Sequence, residues 1–291
     1  MIISVAMKSG FKKLLVLIII AVTVYSCASD HNEPFPDSLN DDQKVRNLDA
    51  KIQDIVKSKI YLSIKEIGRV TYGTFRQPIS VISYQNKETD HKILINAAIH
   101  GNEPASALSV TTLIEILLKH KSKYSFDIIP VINPWGFSQN IRFNKEGIDI
   151  NRDFVSFKSQ ESKIVKSYIT GKQYNLMIDL HEDPDSKGFY IYQYGRPDTK
   201  IPEKVVNKIH QMGYAIEQDV NMIILKTKNG VIDAPMWGLW YMRLTRQLSL
   251  ANFYRLHNSK EVFTIETPTH LPLKDRILMQ TAAVRVLLDE L

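Results

Sequence analysis

Residues 92–99, KILINAAI, carry apolar side chains at nearly every position. A strand that packs on one face alternates apolar with polar residues, so a run without alternation has to be covered on both faces. NLMIDL (175–180) and VFTIE (262–266) repeat the pattern. Helical periodicity fills the intervals, in PASALSVTTLIEILLKH (104–120), in KDRILMQTAAVRVLLDEL (274–291), and at Val45, Leu48, Ile52, Ile55 and Val56. RVTYGTF and ISVISYQ, about Gly73 and Pro78, are expected as short strands, with FDIIPVI and GFYIYQY as further ones. Buried strands interleaved with helices predict an α/β fold, one domain with a mixed, largely parallel twisted sheet covered by helices on both faces. A chain of 291 residues, 44% of them hydrophobic, is long enough to bury such a core.

Each apolar run stops at a residue with chemistry. KILINAAI gives way to His100-Gly101-Asn102-Glu103-Pro104, NLMIDL to His181, and VFTIE ends in Glu266. The carboxyl ends of strands are where open α/β sheets hold their ligands. Two imidazoles and a carboxylate, His100, Glu103 and His181, form a donor set for one catalytic zinc with a fourth position open to water. Glu103 fits equally a favourable acid at a helix N-terminus, and each histidine alone fits a hydrogen-bonded loop residue. Glu266 fits either a general base or a solvated strand-end acid.

A second cluster lies in NPWGFSQNIRFNKEGIDINRDF (133–154). Arg142 and Arg152 supply guanidinium forks suited to a substrate carboxylate or to a developing oxyanion, and suited also to surface ion pairs. Asp149, Asn151 and Asp153 alternate like the opening of a calcium loop, but Phe154 occupies the position that needs glycine and no glutamate follows at the right distance, which excludes that reading. MWGLWYM (236–242) is aromatic enough to line a pocket, yet is expected in the core. KTKNGVIDAP (226–235) is expected as a loop turning at Asn229-Gly230.

The N-terminus reads differently. Lys8, Lys12 and Lys13 precede LLVLIIIAVTV and then Tyr25-Ser26-Cys27, a positive region, a short apolar region and a small residue before the cut. "VYSCAS" resembles a bacterial lipobox, which implies lipid on Cys27, the only cysteine, and a membrane-anchored lipoprotein of the bacterial cell envelope. Residues 1–26 are then a lipoprotein signal peptide, 27–41 a flexible tether and 42–291 the catalytic domain. A lone cysteine excludes intrachain disulfides. Of the net charge of +6, three charges are Lys8, Lys12 and Lys13, with no acid among residues 1–26. The remainder is weakly basic and shows no basic run with interleaved aromatics, so nucleic acid is not an expected partner.

Taken in order along the chain, these motifs resemble the zinc carboxypeptidase (funnelin) family over roughly residues 61 to 291. The family's HxxE pair matches His100 and Glu103, its glycine–hydrophobe–Asp–x–Asn–Arg signature matches Gly147, Asp149, Asn151 and Arg152, its third ligand matches His181, and its catalytic glutamate matches Glu266. "HGNEP" is closer to the branch with murein-peptide amidases and succinylglutamate desuccinylase/aspartoacylase. The resemblance implies one zinc ion on His100, Glu103 and His181, with Glu266 as general base and acid and Arg142 at the oxyanion. It implies substrate carboxylate binding by Asn151 and Arg152, and an orienting role for Asp149 behind His100. It also implies a substrate-facing tyrosine, for which Tyr241 is the candidate and Tyr190 and Tyr192 are alternatives. The expected activity is a metallocarboxypeptidase acting on a peptide, with cell-wall peptides suggested by the anchor. A deacylase of N-acyl amino acids uses the same logic, and a binding lipoprotein on an inactive hydrolase scaffold is a third reading.

Overall fold

The computed structural model describes residues 41–195, 200–218, 227–257 and 259–290. Along the chain they form α1 (Asp41–Lys57), β1 (Leu62–Tyr72), β2 (Phe75–Tyr84), β3 (Lys92–Asn96), α2 (Pro104–Lys119), β4 (Ser125–Ile129) and α3 (Pro134–Gln139). A 3-10 turn (Ile150–Arg152), α4 (Gln160–Ile169), β5 (Tyr174–Asp183), β6 (Tyr190–Tyr194), α5 (Ile201–Gln211), β7 (Val231–Ala234), α6 (Met236–Leu244), α7 (Leu250–His257), β8 (Ser259–Pro268) and α8 (Leu273–Glu290) follow. The strands make one sheet in the order β1-β2-β4-β3-β5-β8-β6-β7.

The centre of the sheet is parallel: β3 pairs with β4 and β5, and β5 pairs with β8. These are the strands whose sequences do not alternate. Their side chains feed two separate cores, Ile93, Ile95, Leu176, Ile178, Phe263 and Ile265 on one face and Leu94, Met177 and Val262 on the other. The first face is covered by α1, α2, α5 and α8, and the second by α4 and α7. The antiparallel hairpin β1–β2 extends one edge. Pro78 pairs with Arg69 of β1 on one edge, and because β2 bonds to β4 only over Ile82–Tyr84 its other edge carries no ladder to break.

Two expectations fail. MWGLWYM does not enter the core. It forms α6, on which Leu239 alone is buried while Trp237 and Trp240 are exposed. The stretch 226–235 is not all loop. Asn229 and Gly230, with φ of 50° and 76°, make the expected turn, but Val231–Ala234 then pair in parallel with β6 as strand β7. The signal segment, Cys27 and the tether up to residue 40 lie outside the described residues, and Asp41 already belongs to α1.

Candidate metal centre

The backbone after β3 is built to stop. Ala97 donates to Ile129 O (3.0 Å), Asn133 donates to Ala98 O (2.9 Å), and Ala98 adopts φ 46°, a conformation unusual for a residue with a side chain. The chain is thereby turned off the sheet and His100 is set at its carboxyl edge. Gly101 then lies directly on the backbone of Gly136, where any Cβ would overlap the Gly136 carbonyl. Glu103 sits at the N-cap of α2 without capping it: its side chain makes no cap hydrogen bond. A different acid takes that task. Glu182 Oε1 accepts from Ala105 N (2.7 Å), and its other oxygen pairs with the buried Arg276 Nη1 (2.5 Å).

Released from capping, the Glu103 carboxylate faces two imidazoles. Oε1 lies 2.5 Å from His100 Nδ1, Oε2 lies 2.8 Å from His181 Nδ1, and Glu182 N donates to Oε2 at 3.2 Å. All three residues are buried, and one donor atom of each lies within 4.8 Å of the others. Both rings turn Nδ1 inward and Nε2 outward to a carboxylate. His100 Nε2 is 3.2 Å from Asp149 Oδ1, and His181 Nε2 is 3.2 Å from Asp179 Oδ2. Asp149 behind His100 favours the tautomer that leaves Nδ1 free to ligate, and Asp179 sets a negative charge at the corresponding position behind His181. The donor set and its outer partners therefore fit a single cation of the zinc class.

The next positions complete the site. Asp149 Oδ2 accepts from Arg142 Nε (3.1 Å) and Nη2 (2.9 Å), while Arg142 Nη1 reaches 3.3 Å from His100 Nδ1 and 3.7 Å from Glu103 Oε1. Asn151 Nδ2 lies 3.3 Å from His181 Nε2, held there because Asn151 Oδ1 accepts from Leu250 N (2.9 Å). Glu266 on β8 is in register with His181 on β5 and with Tyr190 on β6. Tyr190 donates to Asp183 Oδ2 (2.6 Å).

Charge is unevenly distributed. Burial opposes ionisation of Glu103, but His100 and His181 override it and hold the carboxyl below its usual range. Burial likewise opposes ionisation of Asp149, and Arg142 and His100 push it well below. His181 is raised well above the usual histidine value because Glu103 and Asp179 outweigh its burial. Glu266 goes the other way, raised well above the usual glutamate range by burial and by Glu103 and Asp183, against the pull of His181 and Arg142.

Arg152 points to a cavity of about 660 Å³ that it lines with Ile148, Asp149, Asp153, Ser156, Lys158, Thr245, Arg246 and Gln247. Asp153 is consumed internally, accepting from Lys158 N, Ser159 and Ser162. Tyr241 sits on α6, just ahead of the Thr245–Gln247 wall, and its hydroxyl bonds to none of the described site residues. Tyr190, in register with Glu266, is the tyrosine the sheet brings to the reacting groups. Sequence reasoning missed Asp179, Glu182 and Arg276. Asp179 had a signal, since it stands two residues before His181 in a strand and so shares its face. Glu182 and Arg276 meet across 94 residues, with no local signal at either.

Comparison with known proteins agrees with this arrangement. The sequence profile of the succinylglutamate desuccinylase/aspartoacylase catalytic domain matches residues 89–286. The chain belongs to that family. Among curated relatives, carboxypeptidase 2 of Trichophyton rubrum is 19% identical over 168 residues, 53% of this chain and 31% of the fungal one. The chain thus matches about a third of that relative's length. Among solved structures, a Shewanella amazonensis protein assigned as a metallopeptidase superposes with TM-score 0.71 at 20% identity, covering 86% of this chain and 94% of the other. A metallo-carboxypeptidase of Burkholderia cenocepacia gives TM-score 0.59 at 19% identity over 83% of this chain and 67% of its own. This desuccinylase/aspartoacylase family member therefore has the metallocarboxypeptidase fold.

Proposed function

We propose that the chain is a zinc-dependent metallocarboxypeptidase that hydrolyses the C-terminal amide bond of a peptide, with cell-wall peptides as the substrate class to test first. The observation that carries this reading is the convergence of His100 Nδ1 and His181 Nδ1 on the two oxygens of Glu103, with Asp149 behind His100 also lining the neighbouring cavity that holds Arg152. Zinc bound by these three side chains supplies a Lewis acid for the water and the scissile carbonyl. Glu266, one strand from His181, takes the proton of the attacking water and passes it to the leaving nitrogen. Arg142 offers a cation at the developing oxyanion, and Arg152 offers a fork for the terminal carboxylate. Lys158 and Arg246 on the same cavity have no carboxylate partner among the described residues, which favours a leaving residue with an acidic side chain.

The deacylase of N-acyl amino acids is the less favoured reading. The family profile carries that name, but the curated relatives are carboxypeptidases, and a cavity of about 660 Å³ has room for more than one residue. The purified chain is expected to hold about one zinc and to release the terminal residue from peptides. Glu266→Gln is expected to keep the metal and lose the activity. Failure to retain metal after loading with zinc refutes the ligand assignment, and activity confined to N-acyl amino acids replaces the peptidase reading with the deacylase one.

A further inference from the structure

Helix α6 is amphipathic in the wrong direction for a helix that only serves the core. At about 100° per residue, Met236, Trp237, Trp240 and Leu244 fall within one arc of roughly 100°, all exposed, Trp240 by 71% and Leu244 by 84%. The opposite arc carries Leu239, which is buried, and Met242, which packs on the same core. Arg243, at the edge of the exposed arc, and Arg246, just past the helix, are exposed and have no ion-pair partner among the described residues. The one acid close by in sequence, Asp233 on β7, accepts from Gln193. Large apolar patches on a monomer surface mark interaction sites. Tryptophans with flanking arginines on one helix face are the composition that settles at the boundary between headgroups and acyl chains.

We propose that α6 rests on an anionic phospholipid bilayer, with Trp237, Trp240, Met236 and Leu244 entering the interface and Arg243 and Arg246 pairing with phosphates. Two observations favour a bilayer over a protein partner. The exposed cations complement an anionic surface, each worth on the order of 1 kcal/mol near it. Only 13 residues separate Cys27 from Asp41, so the lipid that VYSCAS leads one to expect on Cys27 would hold the start of α1 within about 50 Å of the membrane even at full extension. Because Thr245, Arg246 and Gln247 continue from α6 into the wall of the cavity, this contact sets the cavity mouth at the membrane surface. The inference does not rest on the hydrolytic reading, though it shares Arg246 with the cavity wall.

The three tryptophans of the chain are Trp135, Trp237 and Trp240, and none lies in residues 1–40. In a Trp135→Phe background, fluorescence therefore reports α6 alone, even if the N-terminal apolar segment also binds lipid. The full chain is mixed with phosphatidylglycerol-containing vesicles. The expected result is a blue shift, protection from aqueous iodide, and quenching by lipids brominated on their acyl chains. Leu244→Glu is expected to reduce all three, and Arg243→Glu with Arg246→Glu to weaken them several-fold on anionic vesicles but not on zwitterionic ones. Unshifted, iodide-accessible emission from chains that co-sediment with vesicles overturns the proposal. So does a shift that appears without lipid as protein concentration rises, which assigns the face to a second copy, or one produced by murein fragments and not by vesicles.

Discussion

The floor of the site and its rim are built on opposite principles. On the floor, His100, Glu103 and His181 are each 2–3% exposed, the outer nitrogens of the two histidines face Asp149 and Asp179, and the strands beneath them are paired on both sides. On the rim, α6 and the walls of the cavity carry exposed aromatic and cationic side chains with few partners. The floor holds geometry and the rim holds choice. A ligand set has to be rigid before the substrate arrives, whereas a surface that sorts substrates or meets a membrane needs reachable groups. Changes on the floor should therefore be large and indifferent to substrate, and changes on the rim small and selective.

Glu266→Gln should show the largest effect, a loss of about 10²–10⁴-fold in kcat, with zinc content unchanged by metal analysis. Equal loss of zinc would mean that Glu266 belongs to the ligand set. The two outer carboxylates come next. Asp149→Asn and Asp179→Asn should each weaken zinc affinity about 10–100-fold in competition with a chelator. Asp149→Asn should also reduce turnover, because Arg142 loses the oxygen that anchors it. If Asp179→Asn leaves affinity unchanged, Asp179 does not orient His181 and the two histidines are not equivalent.

Gly101→Ala tests the floor through the backbone. A methyl group there meets the carbonyl of Gly136, not a side chain that can swing away, so unfolding in urea should show a loss of about 1–3 kcal/mol. Asp49 on α1 lies outside both regions and serves as a pH control. Burial lifts its pKa from 3.8 to about 6. A raised acid is more protonated folded than unfolded between those values, so stability from this group is present below pH 3.8 and lost as pH rises through 6. Asp49→Asn should stabilise the protein above pH 6, by about 1 kcal/mol after allowance for solvent at a half-buried site, and do nothing at pH 3.5. Activity per folded molecule should not change.

The same contrast decides what could be read from sequence. The unalternating runs at 92–99, 175–180 and 262–266 dictated central strands, and residues at strand ends converge wherever the strands lie side by side, so His100, His181 and Glu266 were legible from the amino-acid pattern alone. Glu103 was ambiguous, because an acid before Pro104 has the same local signature as cap or as ligand. Only the arrival of Glu182 from β5 to satisfy the Ala105 N–H shows that Glu103 is not the cap. The rim left no such trace. MWGLWYM has the composition of a buried segment, and nothing local says that Trp237 and Trp240 face outward. Arg246 reaches the cavity only through a turn after α6, in which it adopts φ 58°.

The smallest expected effect is also the most discriminating. Lys158→Gln and Arg246→Gln remove exposed charges that no carboxylate of the described residues neutralises, and exposed charges are worth about 0.2–1 kcal/mol each. With peptides ending in glutamate, kcat/KM should fall about two- to fivefold per substitution, mostly through KM, and the deficit should shrink as salt is raised. With peptides ending in leucine it should not move, since the proposed partner of the terminal carboxylate is Arg152 and not Lys158 or Arg246. Arg152→Gln should impair both peptide series alike. An equal loss on leucine and glutamate peptides from Lys158→Gln or Arg246→Gln would show that the rim, like the floor, holds geometry, and the division between the two regions would fail.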